Sequence, residues 1–444
     1  MKLKLTSPQI LALGFLAVIL TGSVLLMLPV SNTNGCSFID ALFTSTSAVC
    51  VTGLIVKDTP VDFTLFGHIV IMLLIQIGGL GYMTSATIIF LMTGKNIGIT
   101  ERIAIKEGLN VETVEGIVRF IKKVALFTAV IELAGALVLT TRFLREYPLS
   151  DAFLYGLFHA VSAFNNAGFS LFSDNLIRYR GDITVNLTIT TLVIVGGIGF
   201  IVMMDIHKFI RKEVTRLTQH SKIVLLSTAI LIMTGAILIF LMEYSNSGTF
   251  GIFPLKEKIL VSYFSSVTAR TAGFNTIDYS LLHTETLFLT ITLMFIGASP
   301  GSTGGGVKTS TIAVIVASLY ATIRGKKDTV LFKRRVPSDI VTRAFLLMTL
   351  AVFFCTFVNH FIISTQDTQY LPSVFEVTSA FGTVGLSVGD GGTRSFAALF
   401  TSFGKFILVC TMFVGRLGPL TFAVAMTRQV KERFRYPEGK VIIG

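Results

Sequence analysis

The sequence predicts an all-α integral membrane protein built from four tandem helix–pore loop–helix repeats, with eight spanning helices and four re-entrant pore helices. Hydrophobic residues make up 52% of the 444 residues and charged residues only 14%, which leaves too little polar surface to cover a soluble globule. Apolar runs of about 20 residues recur along the chain, and a helix needs this length to cross a bilayer. A short glycine motif also recurs four times, at intervals of roughly 110 residues, which indicates internal repeats.

Each copy of the glycine motif follows a short amphipathic segment and lies between two longer apolar spans. The copies are centred on Gly53, Gly168, Gly273 and Gly385, and Ser162–Phe169 is a representative copy. Because the preceding segments are too short to cross a membrane, we predict pore helices that enter it and return on the same side, surrounded by protein or water. These segments are Phe38–Thr46, Ala152–Val161, Lys258–Ser266 and Pro372–Thr378.

The apolar spans come in pairs, one before and one after each short segment. The first spans are predicted at Gln9–Val30, Val118–Thr141, Lys222–Leu241 and Ile340–Ile363. The second spans are predicted at Phe66–Met92, Thr184–Met204, Glu285–Ile323 and Leu399–Met426, and only Glu285–Ile323 is too long for one uninterrupted crossing. The run at Gln9 follows Lys2 and Lys4 as a signal peptide would, but it is long and lacks a small-residue cleavage site.

The pairing of spans divides the chain into four pore repeats, predicted at residues 1–94, 95–209, 210–323 and 324–444. The third repeat carries an intramembrane loop at 297–309, and the fourth ends in a cytoplasmic tail after Arg428. No linker long enough to separate a soluble domain is evident. The scattered Cys36, Cys50, Cys355 and Cys410 indicate neither a disulfide framework nor a metal site.

The distribution of charge predicts which side of the membrane each part faces. Two crossings per repeat place the four motifs on one side of the membrane and the termini and connectors on the other. The motif side has a slight excess of Asp and Glu, and the other side has a large excess of Lys and Arg. The positive-inside rule therefore predicts cytoplasmic termini and extracellular motifs in a multi-pass cell-membrane protein. An acidic outer mouth would concentrate cations. The basic runs Arg324–Lys327 and Lys333–Arg335 fit topology signals that contact anionic lipid, or else a surface for a dedicated partner.

Four motifs of one orientation can surround a central pore, with the carboxyl-terminal dipoles of four pore helices directed at its axis. This arrangement favours a cation. Glycine permits backbone angles closed to other residues and keeps side chains out of the lumen, so carbonyl oxygens can replace the water shell of an ion. The predicted selectivity filter, which would bind potassium through its backbone, consists of Val51, Thr52, Gly53, Asn166, Ala167, Gly168, Thr271, Ala272, Gly273, Thr383, Val384 and Gly385.

Two features break the fourfold pattern, and we predict that they form a gate. The glycine-rich break cannot remain helical and would form a loop beneath the filter. Arg416 aligns with Gly79, Gly197 and Ala298, and lies too deep in its predicted span to reach the interface. The predicted gate residues are Gly297, Ser299, Gly301, Ser302, Thr303, Gly304, Gly305, Gly306, Lys308 and Arg416.

Two further charged residues lie within predicted membrane segments. Arg270 stands beside the third filter segment, where the other repeats have Cys50, Asn165 and Gly382. A charge at that depth needs a partner, and Glu376 is the predicted one, with structural bracing and ion repulsion both open as roles for Arg270. Glu132 is nearly the only carboxylate inside a predicted span.

Four stretches, Ala163–Phe169, Arg270–Asn275, Phe381–Leu386 and Gly415–Pro419, resemble the Trk/Ktr/HKT potassium transporter superfamily. The resemblance covers essentially the whole chain. The length of the chain and its ending, including Arg435–Gly439, are most similar to those of the bacterial Ktr membrane subunits. It implies gated potassium uptake, with sodium as an activator. In the family, filter glycines in all four repeats accompany potassium selectivity, and the intramembrane loop and inner-helix arginine form the gate.

The resemblance also implies partners. It implies a homodimer with one pore per protomer, embedded in the lipid bilayer and regulated by a cytosolic ring of nucleotide-binding RCK subunits. It implies no cofactor in this chain, with K⁺ as the transported ion, and no nucleic-acid partner.

Two other classes of function compete with a pore. A secondary transporter coupling a solute to a cation would be expected to show two inverted repeats and buried ionisable residues at the midplane, whereas these repeats are fourfold and parallel. A membrane enzyme would need a nucleophile–base pair or a metal cluster, and no pattern of residues supports one.

Overall fold

The computed structural model describes residues 6–81, 84–85, 87, 117–391 and 393–426. Within these ranges the regular secondary structure is helical, apart from a two-stranded antiparallel hairpin that pairs Val330–Leu331 with Arg334–Arg335. The predicted tail after Arg428, the boundary between the first two repeats and the end of the span predicted at Phe66–Met92 lie outside the described residues.

Four long helices form the periphery, and they agree with the four predicted first spans. They are Ser7–Met27, Ile117–Phe143, Gln219–Glu243 and Ser338–Gln366. In the described part of the chain, these four are individually long and apolar enough to cross a membrane. Each turns large apolar side chains outward, such as Leu126 and Phe353, which are 65% and 70% exposed. Such a surface requires a lipid environment, so the chain is a multi-pass membrane protein.

The four predicted pore helices are present and slightly longer than the sequence suggests. They are Phe38–Val49, Leu149–Phe164, Leu255–Thr268 and Tyr370–Gly382, called pore helices 1 to 4 below. Pore helix 1 begins after Ser37, whose hydroxyl accepts a hydrogen bond from the N–H of Asp40 at 3.2 Å. The carboxyl-terminal half of every pore helix is buried, so these ends lie inside the protein.

The second span of each repeat is interrupted or ends at a glycine in the described residues, whereas only the third was predicted to be interrupted. We call these spans inner helices 1 to 4. They comprise Leu65–Leu80, then Ile183–Ile198 with Phe200–Ile210, then Thr284–Phe295 with Thr309–Ile323, and lastly Ser402–Leu417 with Pro419–Met426. The two parts of inner helix 2 meet at 101°. The prediction of continuous second spans in repeats 2 and 4 is therefore wrong.

The interruptions or ends of inner helices 1, 2 and 4 have the same backbone cause. Gly81, Gly199 and Gly418 adopt φ of 80°, 95° and 86° with ψ of 135°, 144° and 139°, a conformation that is essentially restricted to glycine. Each is the last glycine of a Gly-x-x-Gly sequence that begins at Gly78, Gly196 or Gly415. Because the helix stops at Leu417, the depth of Arg416 cannot be measured along one helix to the end of its span.

The first glycine of each of these sequences positions the pore helices. A Cβ atom at Gly78 would collide with the carbonyl of Val49, and one at Gly196 with the carbonyl of Phe164. A Cβ atom at Gly415 would likewise meet the Phe381 carbonyl. Glycine therefore lets each of these inner helices touch the carboxyl-terminal end of the pore helix in its own repeat.

Candidate functional site

The four predicted filter segments share one unusual backbone conformation. The first and third residues of each segment have positive φ, from 51° to 94°, at Val51, Gly53, Asn166, Gly168, Thr271, Gly273, Thr383 and Gly385. Four of these are not glycine, and each such residue costs roughly 1–3 kcal/mol of backbone strain. The same strain in four unrelated sequences persists only because the surrounding structure imposes it.

The four glycines form a closed ring in chain order. A Cβ atom on each glycine would meet the carbonyl oxygen that precedes the glycine of the following repeat: Gly53 faces Ala167, Gly168 faces Ala272, Gly273 faces Val384, and Gly385 faces Thr52. At Gly168 the oxygen of Ala272 would be 2.7 Å and the Cα of Gly273 2.8 Å from that Cβ atom. The structure therefore brings all four segments around one axis, and side chains are excluded at the level of the glycines.

The N–H groups of the middle filter residues point away from that axis. Thr52 and Ala167 donate them to the carbonyls of Ser47 and Ser162, at 2.7 and 2.8 Å. Ala272 and Val384 do the same toward Thr268 and Ser379, both at 2.9 Å. These bonds cap the ends of the pore helices and leave the filter carbonyls available for a ligand.

Hydroxyl groups near the ends of the pore helices hold the filter, and the predicted site did not include them. Ser47 and Ser379 accept the N–H groups of Gly53 and Gly385, at 3.0 and 3.1 Å. In the other two repeats the hydroxyls donate instead, Ser162 to the carbonyl of Phe169 at 2.8 Å and Thr268 to that of Phe274 at 2.6 Å. A serine opens three of the four motif copies, and that recurrence was the available signal.

A cavity of about 210 Å³ opens on the glycine side of the ring. Its lining includes all four filter glycines, the carboxylates of Asp58, Asp174 and Asp278, and the guanidinium of Arg394. Burial raises the pKa of Asp58 above its usual range, against hydrogen bonds from Ser173 and Thr393 that lower it. The acidic residues at this mouth agree with the negative charge predicted for the motif side of the protein.

The glycine-rich loop lies against the opposite side of the filter. It separates Thr284–Phe295 from Thr309–Ile323, as the sequence predicts. A Cβ atom at Gly304 would collide with the Thr271 hydroxyl, and the N–H of Gly305 donates to the Thr383 hydroxyl at 2.8 Å. The loop therefore touches the first filter residues of repeats 3 and 4.

The other predicted gate residues fix the loop to inner helix 2 and to itself. The N–H of Ser299 donates to the carbonyl of Gly197 at 3.0 Å, and the Gly301 carbonyl accepts the N–H of Phe200 at 2.9 Å. Within the loop, the N–H of Gly297 donates to Val307 and the Ser302 hydroxyl to Ser299. The ammonium of Lys308 donates to the carbonyls of Gly304 and Gly305, at 2.6 and 3.3 Å. Gly306 has a φ of 69° and lies beside Gly382.

Arg416 connects the loop to repeat 1, for which no direct hydrogen bond to the loop is found among the described residues. Its guanidinium donates to the carbonyl of Thr303 in the loop and to the carbonyl of Gly78 in inner helix 1, with a longer contact of 3.4 Å to Gly79. The side chain thus extends from repeat 4 across to repeats 1 and 3. The loop and the Arg416 guanidinium therefore lie together on the side of the filter that faces away from the cavity.

A buried polar cluster supports the second filter segment from behind. The Asn165 amide donates to Glu132 and to Gln76, both at 2.9 Å. Both Glu132 and Asn165 are buried, and Asn165 precedes Asn166 of the filter. The Asn166 amide in turn lies 3.1 Å from the hydroxyl of Thr271 in the next segment. Glu132, which the sequence places within a predicted span, therefore accepts a hydrogen bond from the residue next to the second filter segment.

The predicted pairing of Arg270 with Glu376 is wrong. No ion pair joins them among the described residues, and Glu376 instead accepts hydrogen bonds from the Ser387 hydroxyl and the Ala397 N–H, at 2.7 and 2.9 Å. The Nε atom of Arg270 is buried without a hydrogen-bond partner in the described part of the chain. Backbone N–H groups and hydroxyls satisfy this carboxylate, so it does not require an arginine.

Comparisons with known proteins agree with this arrangement. A family model described as TrkH, cation transport protein, matches residues 6–433. The "Ktr system potassium uptake protein B" of Bacillus subtilis is 46% identical over 99% of this chain and 97% of its own length. The "Potassium/sodium uptake protein NtpJ" of Enterococcus hirae is 37% identical over 99% of this chain and 98% of its own length.

A solved structure supports the architecture. The crystal structure of the potassium transporter TrkH from Vibrio parahaemolyticus superposes with a TM-score of 0.75, covering 96% of this chain and 86% of that one. The two sequences are 18% identical, so this likeness concerns the fold, an all-helical membrane protein.

Proposed function

Because the chain belongs to the TrkH family of cation transport proteins, we propose that it is the ion-translocating subunit of a potassium uptake system of the Ktr type. The flux is passive and gated, and the membrane potential drives it. The chain conducts an ion and catalyses no chemical reaction. The observation that carries this proposal is the closed ring of four glycines, each of which faces one carbonyl oxygen of the next repeat.

The ring acts as the selectivity filter. Carbonyl oxygens of the twelve predicted filter residues replace the hydration shell of K⁺, and the carboxyl-terminal dipoles of the four pore helices add negative potential at the same point. The strained conformation common to the four segments supports this role, because a loop that served only to connect helices would have no reason to repeat it.

The loop at 297–308 and Arg416 act as the gate. The guanidinium joins the loop to inner helix 1 through backbone carbonyls, so opening requires exchange of only a few hydrogen bonds. Lys308 holds the loop from within through the Gly304 and Gly305 carbonyls. A passage opens when the loop leaves the axis and Arg416 turns aside.

Partners and topology complete the proposal. The cavity lined by the filter glycines opens to the exterior and both termini are cytoplasmic, which the basic connectors support through the positive-inside rule. The protein forms a homodimer with one pore per protomer, and a cytosolic ring of nucleotide-binding RCK subunits acts on the loop. The name of the B. subtilis relative, which describes a system, supports further subunits. The name of the E. hirae relative pairs potassium with sodium, which supports a part for sodium in the transport; we propose that this part is activation.

Potassium-dependent growth of a transport-deficient host tests the proposal. We expect this chain to restore growth at low K⁺, and co-expression of a ring subunit to increase the effect. Purified protein in liposomes should then conduct K⁺ in preference to Na⁺. Failure to restore growth, together with absent K⁺ flux from monodisperse protein in liposomes, would refute it.

A further inference from the structure

Repeats 2 and 4 share a hydrogen-bond arrangement at the outer end of the proposed filter that is not found in the described residues of repeats 1 and 3. In repeat 2 the Nε2 atom of His159 lies 2.9 Å from the hydroxyl of Ser170. In repeat 4 the hydroxyl of Ser387 donates to the carboxylate of Glu376 at 2.7 Å. The histidine and the glutamate each lie nine residues before the filter glycine, and each serine lies two residues after it.

The two hydrogen bonds have the same direction despite their different chemistry. The Nδ1 atom of His159 lies 2.7 Å from the carbonyl of Tyr155, which can only accept, so Nδ1 carries a proton. In the neutral ring Nε2 is then an acceptor for the Ser170 hydroxyl, as the Glu376 carboxylate is for Ser387. His159 and Glu376 are fully buried, so the partners are not exchanged for water.

Each serine also fixes the chain that follows it. Ser170 accepts the N–H of Phe172 at 3.0 Å, and Ser387 accepts the N–H of Gly389 at 3.1 Å, in both cases two residues further on. The hydroxyl therefore joins the pore helix to the turn at which the filter leaves the axis. Repeats 2 and 4 therefore share the same local geometry although their sequences differ.

The other two repeats contact the segments that follow these turns, which the same serines also touch: the Ser387 hydroxyl accepts the N–H of Phe396 at 2.8 Å, and the Ser170 hydroxyl lies 3.5 Å from the carbonyl of Asn175. In repeat 1 the N–H of Ile55 donates to the Ser395 hydroxyl, and the N–H of Ser395 donates back to the Ile55 carbonyl, both at 2.9 Å. In repeat 3 the Asn275 N–H approaches the Asn175 side chain at 3.4 Å, and the N–H of Leu176 donates back to Asn275 at 3.1 Å. Repeat 4 thus supports repeat 1, and repeat 2 supports repeat 3.

We propose that the pairs His159–Ser170 and Glu376–Ser387 are two braces that determine ion selectivity by holding the outer end of the filter with twofold symmetry. This inference rests on the proposed function. The braces position the carbonyls next to Gly168 and Gly385 directly and the other two quarters through Ser395 and Asn175. His159, Ser170, Glu376 and Ser387 are positioning residues, since they act through the backbone of the filter.

The test is the ratio of K⁺ to Na⁺ permeability in liposomes containing the full-length variants Ser170→Ala, Ser387→Ala and both together. Loss of one hydrogen bond should lower the ratio about fivefold, with a larger effect in the double variant. Ser170→Thr and Ser387→Thr keep the hydroxyl and should restore the ratio. Where an alanine variant does not fold, the cysteine variant keeps the volume with a weaker donor and should lower the ratio in the same direction.

Thr44→Val is the matched control. Thr44 occupies the position of His159 and Glu376 in repeat 1, where the residue two positions after the filter glycine is Ile55, which has no hydroxyl to bind. Its ratio should remain that of the unmodified protein. An unchanged ratio in a folded double variant, or an equal loss in Thr44→Val, would overturn the braces while the K⁺ flux of the unmodified protein still supports the proposed function.

Discussion

At the scale of the residue, Gly168 is the sharpest test of the filter. Its φ is 69°, and a Cβ atom there would lie 2.7 Å from the Ala272 oxygen and 2.8 Å from Gly273. Gly168→Ser should therefore displace a ring carbonyl and lower the ratio of K⁺ to Na⁺ permeability by about tenfold, which corresponds to about 1.4 kcal/mol. Ion flux into liposomes measures this ratio.

Gly35→Ser is the control for that variant. Gly35 has a φ of 77°, similar to that of Gly168, but no atom lies within 4 Å of its Cβ position. The backbone strain is therefore comparable and the contact with the filter is absent. Equal loss of selectivity in both variants, or an unchanged ratio in Gly168→Ser, would contradict a filter at the glycine ring.

Arg416 tests the gate at the same scale. Two unit charges 4 Å apart repel by about 4 kcal/mol at an effective dielectric constant of 20, so removing the guanidinium from the axis lowers a barrier for K⁺. Arg416→Ala should raise the flux without the ring subunit by about tenfold or more, a small part of that repulsion. Potassium flux per folded protein in liposomes is the measurement.

The exposed Arg324 provides the control, because Arg324→Ala removes a charge on the connector side and should leave the flux unchanged. Arg416→Lys keeps the charge but cannot extend to the carbonyls of Thr303 and Gly78 as a planar fork does, so an intermediate flux is expected. A flux in Arg416→Ala equal to or below that of the unmodified protein would refute the role.

Sequence reasoning at this scale succeeded where residues repeat and failed where a contact joins distant segments. Four aligned copies made the glycines visible, because each position can be compared with three others. The pairing of Arg270 with Glu376 had no such comparison and rested on charge alone. Hydroxyl and N–H groups of Ser387 and Ala397, which no charge rule considers, satisfy the carboxylate instead.

At the scale of the element, the glycine-rich loop can be removed in part. Deleting Ser302–Gly305 eliminates the Thr303 carbonyl that accepts a hydrogen bond from Arg416, and the N–H of Gly305 that donates to the Thr383 hydroxyl. We expect unregulated K⁺ flux to rise, as in Arg416→Ala, because the axis below the filter is cleared. Combining the two changes should add little, since both release the same contact.

Thr322→Ala is the control for the deletion, because it removes one hydrogen bond, to the Ser318 carbonyl, in the helix Thr309–Ile323 outside the loop. Its flux should stay near that of the unmodified protein. If the shortened protein folds and conducts no potassium, the loop supports the fold and is not a barrier.

The inner helices show why element boundaries were harder to predict than element types. The first spans and pore helices could be located, because apolar length and short amphipathic segments are visible in the sequence. The breaks at Gly199 and Gly418 are not visible in the sequence, since glycine is common in membrane helices and a single backbone angle decides whether the helix continues. The third break was predictable only because a run of glycines exceeded what a helix tolerates.

At the scale of the whole molecule, the repeats make a ring that is fourfold in its glycines and twofold in its braces. The equal spacing of the four motifs predicts the fourfold part. The twofold part depends on contacts between repeats, such as Ser395 with Ile55, that lie 340 residues apart. One sequence without an alignment gives no way to infer pairs at such a separation.

The arrangement of the whole molecule also distinguishes a pore from a coupled transporter. The parallel repeats meet at a single ring, with an acidic mouth on one side and the glycine-rich loop on the other. In the proposed pore, we expect K⁺ to cross without a second, coupled ion. In liposomes that contain the Arg416→Ala variant, in which we expect the gate to be open, the reversal potential should therefore follow the K⁺ gradient at about 59 mV per tenfold change in the K⁺ concentration ratio. Imposed proton or sodium gradients should leave the reversal potential unchanged once the small Na⁺ permeability is subtracted. Strict coupling to either ion would instead displace the reversal potential in proportion to that ion's gradient, which would favour a secondary transporter.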